Sequence, residues 1–374
     1  MTRKRVTMKD VAAAAGVHQT SVSLALRNHP SLPGRTRERI QRIAREMGYR
    51  PDPMLSSLAA YRREQSTPVN EPTIAYIMDL RGPAELERSP PRQLFLRHAR
   101  ERAAELGYRV EVFYYAPGYY HSKSLDRTLR ARNIEGLILG AFWDRQTDLE
   151  LTWERFSVIK IETLPFNLLF DVVQNNQFQV TRLAMEALQE RGFRRVGMAV
   201  GEHDEAHTRN LFSAGYYVGQ THYAPEDRVP ILVFEGKDLA KDADVVAEWI
   251  RRERVEVVVS NWPELDPVIA QANEVLGGAV RMVHLDLGLE DRRHAGVRQN
   301  HELVGRYAVE QVAGLMRIHK KGMTPCPTTH LIDGFWEAGE GDDPIFLPAA
   351  ERMPADAVTI RRPSRGSLAG PEGC

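Results

Sequence analysis

Cysteine is nearly absent from this chain, with Cys326 and Cys374 the only two in 374 residues. That is too few for a disulfide framework and agrees with a reducing compartment. No stretch reaches the ~18–20 consecutive apolar residues of a membrane span. The basic N-terminus lacks the roughly 7–15-residue apolar core of a secretory signal, so a cytoplasmic location is expected. Chemistry-bearing motifs are missing too. There is no G-x-G-x-x-G after the first strand, no G-K-[ST] phosphate loop, no G-x-S-x-G elbow and no H-E-x-x-H. Acidic residues are plentiful, but none pairs off for acid–base work. An enzyme is therefore not expected, nor any catalytic residue or cofactor. No solenoid-like repeat is present. Net charge is also absent as a total, with 50 basic and 50 acidic residues.

That neutrality hides an asymmetry. Residues 1–63 hold thirteen basic and four acidic side chains, a net charge of +9 balanced by −9 in the remainder. Such a basic end points to a nucleic-acid partner. The same segment is patterned for short helices. Thr7 and Asp10 are spaced as a capping box; Val11, Ala14 and Ala15 share a helical face, and Gly16-Val17 interrupts it. A second helix follows, with Val22, Ala25 and Leu26 inward and His18, Gln19, Thr20, Ser23, Leu24 and Arg27 outward. A third spans 36–47, with Ile40, Ile43, Ala44 and Met47 as its stripe and Gly48 as its left-handed cap. Short helices crossing closely through small residues, with glycine in the turn, describe a helix-turn-helix.

VTMKDVAAAAGV (6–17), TSVSLAL (20–26), TRERI (36–40) and MGYRPDP (47–53) together resemble the headpiece of the lactose-repressor (LacI/GalR) family of bacterial transcription regulators. The resemblance implies that the second helix enters the major groove, with Gln19 and Thr20 as base readers and His18 and Ser23 close by. Thr7, Lys9, Ser21, Ser31 and Thr36 match phosphate-contacting positions, which set register rather than sequence. Leu24 stands where the family usually has Arg and Arg27 where it has Asn, so a different operator is expected. Pro33 replaces the usual capping Ser. In MLSSLAAYRR, Leu58 matches the leucine that wedges into the minor groove from a hinge helix, here 55–61, although Leu55-Ser56 replaces the usual Ala-Arg.

The reading divides the chain into a headpiece (1–50), a hinge and linker (51–72), a two-lobed effector-binding and dimerisation domain (73–338), and an extension (339–374) of disordered composition. In 73–338, apolar runs alternate with helical patterns: TIAYIMDL, helix 91–107, YRVEVFYY, GLILGAF, FSVIKIE, helix 177–190, RRVGMAV, RVPILVF, RVEVVVS and VRMVHLD. Such βα alternation predicts parallel, doubly wound sheets. The fold class is thus an all-α headpiece followed by an α/β domain resembling the periplasmic sugar-binding fold. Two such series are expected to join near 162–176.

Ligands of these sheets lie off the carboxyl ends of the strands. Candidate effector contacts are Asp79, Phe142, Trp143, Glu162, Arg209, Asn261, Trp262 and Asp286. The resemblance supports Arg209, Asn261 and Asp286, while Trp262 replaces a family Asp. His203 and His207 in EHDEAH share helical spacing, but no third ligand accompanies them. That segment reads as a solvated polar loop, and no metal is expected. The family implies a homodimer on a pseudo-palindromic DNA operator, controlled by a small-molecule effector such as a sugar. A free-standing sugar-binding module and an enzyme on the same sheets are the competing readings.

Overall fold

The computed structural model describes residues 6–26, 32–49, 71–236, 239–278 and 280–340. Arg27, Ser31, the expected hinge with Leu58, and the C-terminal extension past 340 lie outside them.

Three helices open the chain: α1 (Met8–Ala15), α2 (Gln19–Leu26) and α3 (Gly34–Glu46). The capping box is formed: the Thr7 hydroxyl accepts from the Asp10 amide at 3.3 Å, and the Asp10 carboxylate accepts from the Thr7 amide at 2.8 Å. This satisfies donors that a helix start leaves open. Gly16, at φ 61°, turns the chain out of α1 in the left-handed region that glycine tolerates. Val11, Ala12, Ala15, Val22, Ala25, Ile40 and Ala44 form the core, with Leu26, Ile43 and Met47 packed against it. Ala14, expected inside, is exposed, and Ala12 takes its place. The helix turns its 11–12–15 face inward, because Ala12 and Ala15 flank that face while Ala14 lies beyond its edge. The third helix starts at Gly34, two residues before the expected Thr36, and Pro33 precedes it without a side-chain cap. The Gln41 amide donates to the Ala25 carbonyl at 2.7 Å, tying α3 to the end of α2.

Then come β1 (Thr73–Met78), α4 (Pro83–Leu86), α5 (Pro90–Glu105), β2 (Arg109–Tyr114), α6 (Ser122–Ala131), β3 (Gly136–Leu139), β4 (Ser157–Ile161) and β5 (Asp171–Asn175). After α7 (Gln177–Glu190), the chain forms β6 (Val196–Gly201), α8 (Glu202–His207), α9 (Leu211–Gln220), β7 (Leu232–Phe234), α10 (Leu239–Glu253), β8 (Val257–Ser260) and α11 (Leu265–Leu276). Last are β9 (Arg281–His284), β10 (Gly296–Arg298), α12 (His301–Arg317), β11 (Thr329–Ile332) and β12 (Phe335–Glu337). The chain divides into one compact unit of Met1–Thr181, Gly201–Gly215 and Arg298–Phe335, and another of Arg182–Val200, Tyr216–Val297 and Trp336–Cys374.

The sheets run in the order β11-β5-β4-β3-β1-β2 and β12-β10-β9-β8-β6-β7. Parallel pairing joins β2 to β1, β1 to β3, β3 to β4, β4 to β5 and β5 to β11. In the second sheet it joins β6 to β8, β8 to β9 and β9 to β10. The expected parallel α/β architecture is therefore present. Along β1, Ile74, Tyr76 and Met78 face a cluster with Phe95, Ala99 and Ala103 of α5 and Val304, Ala308 and Val312 of α12. Ala75 and Ile77 face the opposite cluster, with Leu125 and Leu129 of α6. Two covered faces make the strand apolar at every position, which is why it reads as a continuous run rather than an alternation.

Four strands escape the sequence pattern: β5, β10, β11 and β12. β5 lies inside the segment expected to be a connection, and carries buried Asp171, Gln174 and Asn175. Distant partners meet two of its polar groups: Asp171 accepts from the Thr328 amide at 2.8 Å, and the Asn175 amide oxygen lies 2.9 Å from His301 Nδ1, while Asn175 Nδ2 is buried without a hydrogen-bond partner. The short strands β11 and β12 hold no buried residue and lack apolar continuity. RVPILVF shortens to β7, since Pro230 has no amide proton for a ladder.

Helices α5 and α12 approach through glycine. A Cβ on Gly305 would stand 2.2 Å from the Phe95 carbonyl oxygen. Gly305→Ala is expected to cost about 1–3 kcal/mol by forcing these helices apart. Urea unfolding read by circular dichroism checks this; an unchanged midpoint contradicts the close approach.

Candidate functional site

The first candidate surface is the N-terminal end of α2. His18, Gln19 and Thr20 are exposed, while Ser21, Ser23 and Leu24 are half-buried. His18 Nδ1 accepts from the Thr20 amide at 3.3 Å and lies 2.9 Å from its hydroxyl, so His18 acts as a local cap on α2. Gln19 projects from the first turn beside them. Lys9 is exposed on α1, Thr7 is exposed at its cap, and Thr36 is half-buried on α3. A compact core of small residues therefore holds out a short helix whose first turn carries amide, hydroxyl and imidazole groups. Those are groups that read base edges or meet phosphates.

The second candidate lies at the carboxyl edge of the first sheet, within its own unit. Asp79 follows β1, Trp143 lies beyond β3 and Glu162 follows β4. The Asp79 carboxylate accepts from the Trp143 and Asp144 amides through Oδ2. Its other oxygen, Oδ1, is buried without a hydrogen-bond partner. Burial raises the Asp79 pKa, against the lowering influence of the Trp143 amide and the Arg92 guanidinium. Trp143 is 55 % exposed. The Arg92 guanidinium sits 5.6 Å from its ring centroid, within cation–π range. Phe142, by contrast, is 1 % exposed and packs among Leu139, Leu149 and Phe170. It is a core residue and not a ligand contact, because the chain dips into the apolar layer before turning outward at Trp143.

EHDEAH is not a solvated loop. It forms α8, and its imidazoles stack: His203 lies 4.1 Å from Trp143 and 3.7 Å from His207 between ring centroids. His207 Nε2 donates to the Trp143 carbonyl at 2.8 Å, which fixes its tautomer. Burial lowers the His207 pKa to about 4. Arg209, at φ 54°, is exposed with its guanidinium 4.9 Å from the Phe166 ring. Glu162 also has a left-handed backbone, φ 65°. Such conformations in residues with a Cβ mark segments held by their surroundings.

Lys160 of β4 is 4 % exposed, and its ammonium donates to the Thr163 carbonyl at 2.6 Å and the Pro165 carbonyl at 2.9 Å. Burial, with Arg209 adding repulsion, lowers its pKa to about 7. Arg92, Lys160 and the stacked histidines were not singled out as ligand contacts in the sequence. Arg92 looked like an ordinary helix-surface cation, Lys160 was submerged in an apolar run, and the histidines paired only as metal ligands.

In the other unit, Asn261 and Trp262 follow β8, and Asp286 follows its neighbour β9. Trp262 packs edge-on against Phe234 at 5.2 Å and over Gly236, where a Cβ would come within 2.6 Å of the indole. Asn261 and Asp286 are half-buried.

The N-terminal segment is similar to known proteins at the level of sequence. Residues 7–52 match the family model described as "Bacterial regulatory proteins, lacI family". The chain is 26 % identical over 196 residues to the HTH-type transcriptional repressor CytR of Escherichia coli (strain K12), an alignment covering 52 % of this chain and 53 % of that protein. It is 25 % identical over 202 residues to the HTH-type transcriptional regulator PtxS of Pseudomonas plecoglossicida, covering 54 % and 55 %. The chain thus spans about half the length of the curated relatives it matches.

In fold it is similar to a regulatory protein of LacI family from Chloroflexus aggregans, with TM-score 0.54, 16 % identity, and coverage of 71 % of this chain and 96 % of that one. It is also similar to the lac repressor dimer bound to operator and the anti-inducer ONPF, with TM-score 0.51, 17 % identity, and coverage of 89 % and 98 %. Among the described residues no helix is long and apolar enough to cross a membrane.

An unfolded histidine titrates near 6.5, whereas His207 in the folded chain resists protonation until about 4. Across that window the unfolded chain binds more protons, so stability falls as pH drops from 6.5 towards 4. His207→Gln, which keeps a donor without the titration, is expected to show a shallower decline. Denaturation midpoints at pH 7, 5.5 and 4.5 check this, and parallel profiles for the two proteins contradict it.

Proposed function

We propose that this chain is a cytoplasmic, sequence-specific DNA-binding transcription regulator, a repressor, whose operator affinity is set by a small-molecule effector of the sugar class. The observation that carries the reading is the lacI-family match over residues 7–52, combined with the exposure of His18, Gln19 and Thr20 on the first turn of α2. One headpiece reads too few bases for a genomic address. The reading therefore includes a homodimer on a pseudo-palindromic operator, with half-sites spaced by the helical repeat of the duplex. Neither catalysis nor a cofactor enters it. Thr7, Lys9, Ser21 and Thr36 are assigned to phosphates, and Ser23 and Leu24 to the groove wall. Arg27, Ser31 and Leu58 keep their assigned roles in DNA contact.

Effector binding is assigned to the carboxyl edges of the sheets, to Asp79, Trp143, Glu162 and Arg209 in one unit and to Asn261, Trp262 and Asp286 in the other. A buried carboxylate oxygen without a partner, beside an exposed indole and an arginine, supports this assignment. Aromatic faces stack on apolar ring faces, and charged groups fix hydroxyls. Coupling requires the effector to favour one of two arrangements of the protein. A tenfold difference in affinity supplies about 1.4 kcal/mol, and switching from 1:99 to 99:1 needs ~5.5 kcal/mol.

The test is selection of bound sequences from a random duplex library with the full chain. An inverted repeat is the expected product, and recovery of unrelated sequences overturns the reading. On the selected repeat, Gln19→Ala is expected to relax base preference at one or two positions by about 1–3 kcal/mol. An equal loss on all sequences contradicts base reading by Gln19. Arg209→Ala is expected to spare operator binding while abolishing the response to the effector found by thermal-shift screening; an intact response removes Arg209 from the site.

A further inference from the structure

Away from the groups assigned above, three metal-ligating side chains converge in the second unit. Asp266 lies in the first turn of α11, His284 closes β9 and His294 stands two positions before β10. One ligand atom from each lies within 4.8 Å of the other two. Asp266 Oδ2 is 3.2 Å from His284 Nε2 and 3.8 Å from His294 Nε2. Ligand atoms on a tetrahedral ion with bonds of ~2.0–2.1 Å stand roughly 3.3 Å apart, so both measured edges are within about half an ångström of a coordination sphere.

The backbone builds this convergence. Gly296 pairs with His284 across the β9–β10 ladder, and the His284 amide donates to the Ala295 carbonyl at 3.1 Å. A Cβ at position 296 would lie 2.2 Å from the His284 carbonyl oxygen, so only glycine lets β10 approach closely enough to bring His294 over His284. The imidazole centroids are 4.6 Å apart.

Two further observations point to a ligand rather than to a self-contained polar network. His284 is 3 % exposed, yet its Nε2 is buried without a hydrogen-bond partner, even though the Asp266 carboxylate is close. Buried polar atoms are normally satisfied, and one aimed at an imidazole and a carboxylate is an exception that a cation explains. His294 is also prepared as a ligand. Its Nδ1 donates to the Asp291 carboxylate at 2.7 Å, which leaves the Nε2 lone pair directed at Asp266 and His284. A carboxylate holding the far nitrogen of a histidine is the usual outer partner of a metal-bound imidazole.

We propose that Asp266, His284 and His294 bind a divalent transition metal of the zinc class, with Asp291 as the positioning residue for His294. Two imidazoles and one carboxylate suit zinc, cobalt or nickel, whereas magnesium and calcium take oxygen donors. Asp266 and His294 are partly exposed, leaving a fourth position open to water or a small ligand. The ion ties the start of α11 to the end of β9 and to the 285–295 loop, which also carries Asp286, beside the end of β8 that Asn261 follows. The metal site stands independently of the DNA-binding reading, and it departs from the sequence expectation that no metal is bound.

The test uses the full chain, stripped with chelator and titrated with zinc chloride by calorimetry and with cobalt by visible absorbance. One ion per chain is expected, with the d–d bands of a four-coordinate site and a rise in melting temperature on zinc addition. His294→Ala and the isosteric Asp266→Asn are expected to lose that stoichiometric site and the thermal shift, with circular dichroism confirming that both fold. Asp291→Asn is expected to weaken binding about 10–100-fold. A stripped chain that binds no zinc overturns the proposal. So does zinc binding that survives both His294→Ala and Asp266→Asn, which would place the ion elsewhere, as at His203 and His207.

Discussion

Everything in the α/β part depends on strands running in the same direction with both faces buried. Parallel pairing sends the carboxyl ends of β1, β3 and β4 to one edge of their sheet and those of β8 and β9 to one edge of theirs. Residues distant in sequence, such as Asp79 and Trp143, become neighbours because each follows one of two directly paired strands, β1 and β3. Burial holds the arrangement: β1 alone sets Tyr76 and Met78 against one helical layer and Ile77 against the other. Each fully buried side chain of this kind contributes about 1.5–3 kcal/mol, so shifting one strand would forfeit several at once. The loops at the strand ends can therefore vary in sequence without endangering the sheet, which is what makes them suitable for recognition.

The headpiece solves a different problem with different means. Its core of alanines and valines is thin, and helices pack closely only because those side chains are small. Local devices supplement the limited burial: the reciprocal Thr7–Asp10 cap, left-handed Gly16 and Gly48, and the Gln41 tether to Ala25. With the core held by these devices, Gln19 stays exposed on the first turn of α2.

Much of this was legible in the sequence, and the reasons differ by element. The helix Gln177–Glu190 matched its expected bounds, since an amphipathic stripe and a terminal Gly192 mark both its register and its end. β1 and β4 were plain as apolar runs. β5 was not, because its buried polar residues Asp171 and Asn175 meet partners far along the chain, Thr328 and His301, that no local pattern reveals. Phe142 was placed by its position near a strand end, a rule that cannot tell an inward ring from an outward one. The stacking of His203 and His207 on Trp143 depends on a helix too short to announce itself. Asp266, His284 and His294 passed unnoticed because a ladder and a glycine, not spacing along the chain, bring them together.

If ligand binding at the strand ends and DNA binding at α2 are energetically linked, each must change the other by the same factor. The decisive measurement is a closed cycle: effector affinity with and without a selected inverted-repeat duplex, and duplex affinity with and without effector. The account requires the two ratios to be equal and different from one, at about tenfold or more. Ratios of one on both sides, with both ligands bound, would leave a DNA-binding protein and a metabolite-binding protein sharing a chain without regulation.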